Sequence, residues 1–308
     1  MTEKTIDILS FGEPLMELAE VEREGETLYQ PGHGGDCSNV AIAAARHGAR
    51  AAMLTAVGDD AFGRSFIDLW EREGVDRSRV TVRTGARTGV YMISYGPDGH
   101  DFSYYRAGSA ASLVTSAELP YDAIASARVL HASGISQAIS ESCADAVFAA
   151  MRHARETGGL VSYDTNLRLR LWPLDRARAI VNAAAAMADI VLPGHDDARQ
   201  LTGRDDPDAI CDFYLAGGAR VVALTLGRDG ALVATPQERR TIPARVVEAV
   251  DATGAGDAFD GAFLAEYLRH GDPFRAGAYA NVAASISVTG RGAVAPLPRR
   301  GAVEAILG

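Results

Sequence analysis

The sequence predicts an α/β protein: a mostly parallel central sheet with helices on both faces, carrying a small additional β-sheet. Three observations lead there. Short apolar runs alternate with amphipathic stretches of helical period, the texture of β-α units in a sheet covered on both sides. Between Thr81 and Ser103 that rhythm breaks into two alternating runs around Gly96-Pro97-Asp98-Gly99, a hairpin signal that belongs to a separate sheet. A length of 308 residues with 47% apolar content suffices for one large core. No repeat, low-complexity tract or linker divides the chain. The expectation is a single domain over 1–308, with the small sheet, a lid, inserted from about 12–33 and 81–112.

Taken in order, Ile6–Phe11 reads as a strand running into Gly12-Glu13. Gly32 to Asn39 (G-H-G-G-D-C-S-N) reads as a loop before the helical run Val40–Gly48. Ala51–Val57 is strand-like, and Ala61–Glu73 is an amphipathic helix stopped by Gly74. After the hairpin come strand Val129–Ser133, helix Cys143–Thr157, strand Leu160–Asp164, helix Leu174–Met187 and strand Asp189–Leu192. Short helices follow near Asp196–Leu201 and Pro207–Ala216, then strands Arg220–Thr225 and Ala231–Ala234. Arg245–Val250 reads as a last strand, Ala258–Leu268 and Phe274–Thr289 as helices, and Ala302–Leu307 as a closing helix.

A net charge of −10 argues against a nucleic-acid surface or an anionic membrane as partner, so an anionic ligand needs a local cluster of arginines and amides. No apolar run approaches the roughly 18 residues of a membrane span, and the charged N-terminus shows no signal peptide. Cys37, Cys143 and Cys211 lack C-x-x-C spacing and read as free thiols of a reducing cytoplasm. The seven histidines are scattered without metal spacing.

The chemistry concentrates in Asp251 to Gly261, D-A-T-G-A-G-D-A-F-D-G. Gly254 and Gly256 allow a tight turn into a helix whose unsatisfied N–H groups and positive dipole end suit a phosphate. Asp257 within that anion site suits a general base that takes a hydroxyl proton while amides hold a transferring phosphoryl group. Near the N-terminus, Gly34-Gly35-Asp36 and Asn39 offer close approach and hydroxyl-binding groups. A Walker A motif is absent and no G-x-G-x-x-G follows the first strand, which demotes P-loop kinases and dehydrogenases.

Read together, G-G-D-C-S-N-V-A, A-V-G-D-D-A-F-G at Ala56–Gly63 and D-A-T-G-A-G-D-A-F resemble the hallmark segments of the ribokinase-like (PfkB) sugar kinases. The resemblance implies a ribokinase-like fold, cytoplasmic location, ATP and Mg2+ as cofactors, and Asp257 as base with Gly254, Ala255 and Gly256 as anion hole. It places Thr225, Gly227, Gly230, Gly256, Asn166 and Asn281 toward the nucleotide. Asp251 and Thr253 resemble residues bordering a monovalent-cation (K+) site. The family's N-x-x-E segment departs here to Gly194 and Asp197, leaving Asp197 to organise hydrated magnesium.

In the lid, Phe102–Ser112 carries Tyr105 and Arg106, and Tyr163–Arg168 adds Arg168 at a strand end, where open α/β sheets bind ligands. Paired arginines suit a carboxylate, because each fork makes two charge-assisted bonds. With Tyr91, these segments resemble 2-keto-3-deoxygluconate (KDG) kinases. The expected substrate is that sugar acid, with Gly34, Gly35, Asn39, Tyr91, Tyr105, Arg106, Arg168 and Asp257 around it. Fructokinase or ribokinase activity on a neutral sugar, and a nucleotide sensor without catalysis, are the rivals. The open edges of the lid sheet predict a homodimer or higher oligomer through it.

Overall fold

The computed structural model describes residues 3–96 and 99–308. Its main sheet has nine strands in the order β13-β12-β11-β10-β9-β8-β1-β4-β5. These are β1 (Ile6–Phe11), β4 (Ala51–Gly58), β5 (Val80–Arg83), β8 (Ala127–Ser133), β9 (Leu160–Asp164), β10 (Ile190–Leu192), β11 (Val221–Thr225), β12 (Ala231–Ala234) and β13 (Arg239–Ile242). Neighbours from β5 to β11 pair parallel, while β12 and β13 turn back antiparallel at the edge. The small sheet has the order β3-β2-β6-β7 and consists of β2 (Leu15–Arg23), β3 (Glu26–Gly34), β6 (Gly89–Gly96) and β7 (Gly99–Tyr105).

Alternate residues of the central strands enter different cores, as a sheet packed on both faces requires. Leu9, Leu130, Val191 and Val222 join the core under α5 (Glu141–Glu156), α6 (Leu174–Ala185), α7 (His195–Thr202) and α8 (Pro207–Ala216). Ile8, Val129, Ile190 and Val221 join the opposite core with α1 (Asp36–Arg46), α9 (Ala255–His270) and α10 (Pro273–Ser287). Three more helices lie elsewhere on the body: α2 (Ala61–Glu73), which ends on left-handed Gly74, α3 (Tyr121–Ser126) and α4 (Gly134–Ala138). A last helix, α11 (Arg300–Leu307), buries Val303 against α10.

Several expectations need correction. Arg245–Val250 forms no strand, because the sheet edge is already taken by β13, and Val246 is left 98% exposed with nothing to pack on. Val80–Arg83 belongs to the main sheet through β4, so the small sheet draws on Gly89–Tyr105, not on 81–112. The loop expected up to Asn39 is already helical from Asp36. The two flanks of the hairpin pair antiparallel as expected; Pro97 and Asp98 of its turn lie outside the described residues. Among the described residues, no helix is long and apolar enough to cross a membrane. All three cysteines are free and buried.

One contact sets the positions of the two helices that matter most below. A Cβ on Gly261 of α9 would lie 2.5 Å from the Ala43 Cβ and 2.7 Å from the Val40 carbonyl oxygen, so α9 crosses α1 at backbone distance. Replacing Gly261 by Val forces the helices apart. The expected cost is about 1–3 kcal/mol, as for other overpacked cores, read as a lower denaturation midpoint in urea. Turnover should fall beyond what lost stability explains, because the helix starts carry the site.

Candidate active site

Both of these helices begin at the edge where the parallel strands end. Helix α1 starts after Gly35, whose φ of 100° and close contact with the Glu13 carbonyl exclude a side chain. Helix α9 starts after Gly254, also left-handed at 76°, and no side chain caps it. Between them and the small sheet lies a cleft of about 850 Å³. Gly34, Gly35, Asn39, Tyr91, Arg106, Asn166, Arg168, Asp197, Thr225 and residues 253–257 all line it.

Asp257, in the first turn of α9, is 9% exposed. Its Oδ2 accepts a hydrogen bond from Asn39 Nδ2 at 2.7 Å. Asn39 is thereby committed to the carboxylate, a role the sequence did not suggest. Burial, then the negative charge of Asp36, push the Asp257 carboxyl up to about 7, against the pull of Asn39 and Arg168. Asp36 itself receives the Ser133 hydroxyl and, at 3.2 Å, the Asn166 amide, while its Oδ1 has no partner among the described residues. Asp164 and Asp260, both buried nearby, are held well above the carboxylate range by burial and by the surrounding acids.

The amide edge is narrower than expected. The Ala255 N–H donates to the Ala252 carbonyl at 3.2 Å, which removes it from the expected anion hole. Helix geometry leaves Gly254, Gly256 and Asp257 as the open donors. Nothing lies within 4 Å of where a Gly256 Cβ would stand, so an anion has room to approach. Thr225 reaches the cleft, but Gly227, Gly230 and Asn281 stand outside its lining. A Cβ on Gly230 would fall 2.0 Å from the Ile242 carbonyl oxygen, so this glycine is needed for backbone packing. Asn281 donates to the Pro243 carbonyl at 2.7 Å and pins the stretch after β13.

Asp197 accepts the Leu167 N–H at 2.9 Å and faces Arg168 Nη1 at 3.8 Å, and burial raises its pKa. A Cβ on Gly194 would meet only Thr225 Oγ1, at 3.8 Å, so a larger residue would fit. Among the described residues no three His, Cys, Asp or Glu are arranged to hold a metal unaided. One acid beside an open amide edge suits magnesium, which keeps several waters and takes phosphate oxygens. The Asp251 carboxylate accepts the Thr253 and Gly292 amides, both at 2.9 Å, tying together the two loops that flank the start of α9.

At the other end, the Tyr91 hydroxyl donates to buried Glu17, and Tyr91 stacks on Tyr104 with centroids 5.9 Å apart. Gly34 is bare because a Cβ there would come within 2.8 Å of the Tyr91 hydroxyl. Tyr105 does not line the cleft: strand alternation turns it outward, 66% exposed, and Tyr104 takes the place assigned to it. Arg106 does line the cleft, with an unforeseen partner. Its Nε donates to Glu13 Oε2 at 2.7 Å, and Nη2 pairs with the same oxygen. Arg168 is half exposed at the rim. Asp164 ends a parallel strand and Glu13 stands two residues beyond another, positions that should have marked them.

This arrangement joins an anion-binding helix start, a buried carboxyl poised near neutrality and a polar cleft closed by aromatic residues. Residues 5–300 match the pfkB family carbohydrate kinase pattern. The chain belongs to that family. It is similar to fructokinase-1 of Oryza sativa subsp. japonica, 36% identical over 94% of each chain. It is as similar to 2-dehydro-3-deoxygluconokinase of Thermoproteus tenax, 35% identical over 99% of this chain and 95% of that one. Its structure resembles that of a putative ribokinase II from E. coli in complex with ATP and Mg2+, with a TM-score of 0.89 at 26% identity, covering 98% and 99% of the two chains. Family membership makes this chain an ATP-dependent carbohydrate kinase. The two relatives act on different sugars at nearly equal identity, so the substrate is left to the cleft.

The raised Asp257 carboxyl has a measurable sign. Titration by 13C NMR should give a value near 7, lowered by Asp36→Asn and raised by Asn39→Ala. Because the folded pKa lies above the unfolded one, near 3.9, charging Asp257 destabilises the fold as pH rises between them. The gain in Tm from Asp257→Asn should therefore be absent near pH 4 and complete above about pH 7.

Proposed function

We propose that this kinase phosphorylates the terminal hydroxyl of 2-keto-3-deoxygluconate, giving 2-keto-3-deoxy-6-phosphogluconate. The observation that carries this reading is a guanidinium built into the cleft wall beside the small sheet, Arg106, with a second, Arg168, at the rim. Arginine forks bind a carboxylate through paired charge-assisted bonds, which a neutral sugar does not require. Tyr91, Gly34 and Tyr104 would border the sugar, which sets its far hydroxyl beside Asp257.

Asp257, ionised above about pH 7, takes the proton of that hydroxyl, and Asn39 holds the accepting carboxylate in line. ATP, when bound with magnesium, supplies the phosphoryl group and part of the charge neutralisation. The Gly256 and Asp257 amides hold its phosphate end, Thr225 and Asn166 border it, and Asp197 orients the hydrated ion. The Asp251 loop is the place for a monovalent cation such as potassium. Closure of the small sheet over the sugar keeps water from the reacting centre. Pairing of these sheets through edge strands β3 or β7 would give a dimer, and buried free thiols suit a reducing cytoplasm.

A second reading has its own observation. Glu13 offsets the charge of Arg106, so the cleft also suits a neutral sugar such as fructose. ADP release should be measured with KDG, its galacto epimer, fructose, ribose and adenosine. The expected outcome is a clear preference for one of the two sugar acids; preference for fructose overturns the sugar-acid reading and leaves the kinase assignment intact. Asp257→Asn keeps the shape and removes the base, so turnover should drop roughly 10²- to 10⁴-fold. Near-normal turnover removes Asp257 from that role.

A further inference from the structure

Glu13 stands at the bend between β1 and β2, and its side chain is wholly buried in the cleft wall. Its two oxygens are divided. Oε2 takes Arg106 Nε at 2.7 Å together with Nη2, and Oε1 takes the Ser109 hydroxyl. Gly89 leaves the space for this: a Cβ there would lie 2.7 Å from Glu13 Oε1. Burial pushes the Glu13 carboxyl up, while Arg106 and Ser109 pull it back. A guanidinium offers hydrogen bonds along a side edge, Nε with Nη2, and an end edge, Nη1 with Nη2. Glu13 takes Nε and Nη2, and Nη2 is buried, which leaves Nη1 as the donor of a side chain already held in place. The Tyr104 ring, 6.0 Å from the Arg106 Cζ, restricts it further.

We propose that Glu13 is the positioning residue that turns Nη1 of Arg106 toward the substrate carboxylate, and so sets the preference for an acid over a neutral sugar. The inference rests on the sugar-acid reading above. It gives Glu13 two opposed effects. Holding the guanidinium removes rotamer freedom that the ligand would otherwise have to restrict. Its negative charge at the same time weakens the attraction of Arg106 for a second carboxylate. Substitutions separate the two, because glutamine keeps an acceptor for Nε and removes the charge, whereas alanine removes both.

The test is steady-state kinetics of the full-length enzyme with KDG and with fructose, for the unaltered chain, Glu13→Gln and Glu13→Ala. Glu13→Ala should raise the KM for KDG roughly tenfold to a hundredfold, the scale of one lost charge-assisted contact. Its kcat and its KM for fructose should move far less. Glu13→Gln should show a KM for KDG at or below that of the unaltered enzyme, and this variant keeps the test open if alanine leaves Arg106 too poorly supported to fold. A glutamine variant as defective as the alanine one, or equal changes in KM for both sugars, overturns the inference and leaves the substrate reading standing. Preference of the unaltered enzyme for fructose removes the substrate reading itself, and the inference with it.

Discussion

The site depends on the distance at which α9 passes α1. Each helix carries an acid in its first turn, Asp36 on one and Asp257 on the other, and both line the same cleft. The bond from Asn39 to Asp257, at 2.7 Å, spans them and fixes the carboxylate relative to the open amides of its own helix. That bond exists because Gly261 and Ala43 present almost no side chain at the crossing. Two small residues in a core therefore decide the geometry of a site more than one helical turn away.

Bringing the helices together has an electrostatic consequence. Asp36, Asp164, Asp257 and Asp260 share one desolvated region, with Arg168 the cation acting on Asp257 and Asp164. Burial and the repulsion of neighbouring acids raise the carboxyls of Asp164, Asp257 and Asp260. A carboxyl poised near 7, that of Asp257, is the result of that crowding. The same field opposes an anionic ligand, and this is why the bare amides of α9, the rim guanidinium and a cation brought with the nucleotide belong to one design.

Much of this was legible in the chain. Strand and helix periodicity located nearly all the β-α units, and D-A-T-G-A-G-D marked the buried Asp257 and the open helix start, because glycine spacing and an acid at a helix start have few other uses. What escaped depends on partners distant in sequence. Tyr104 and Tyr105 are adjacent and chemically alike, and only the pairing of β7 with β6 decides which one faces the cleft. Arg106 was found, but the Glu13 that holds it lies at the far end of the small sheet's first excursion. Arg245–Val250 had the composition of a strand, and a free sheet edge was lacking. Gly230 and Asn281 matched family positions, yet here they secure backbone beyond the cleft.

The two ends of the cleft have separate origins in the chain. The phosphate end comes from the strand ends and helix starts of the main sheet, whereas Gly34, Tyr91, Tyr104 and Arg106 come from the small sheet or the residue next to it. Replacements in the small sheet therefore alter one part of the cleft lining and leave the start of α9 untouched. Overall identity, dominated by the main sheet and its helices, then records common chemistry and says little about diet: a plant fructokinase and an archaeal sugar-acid kinase stand equally near.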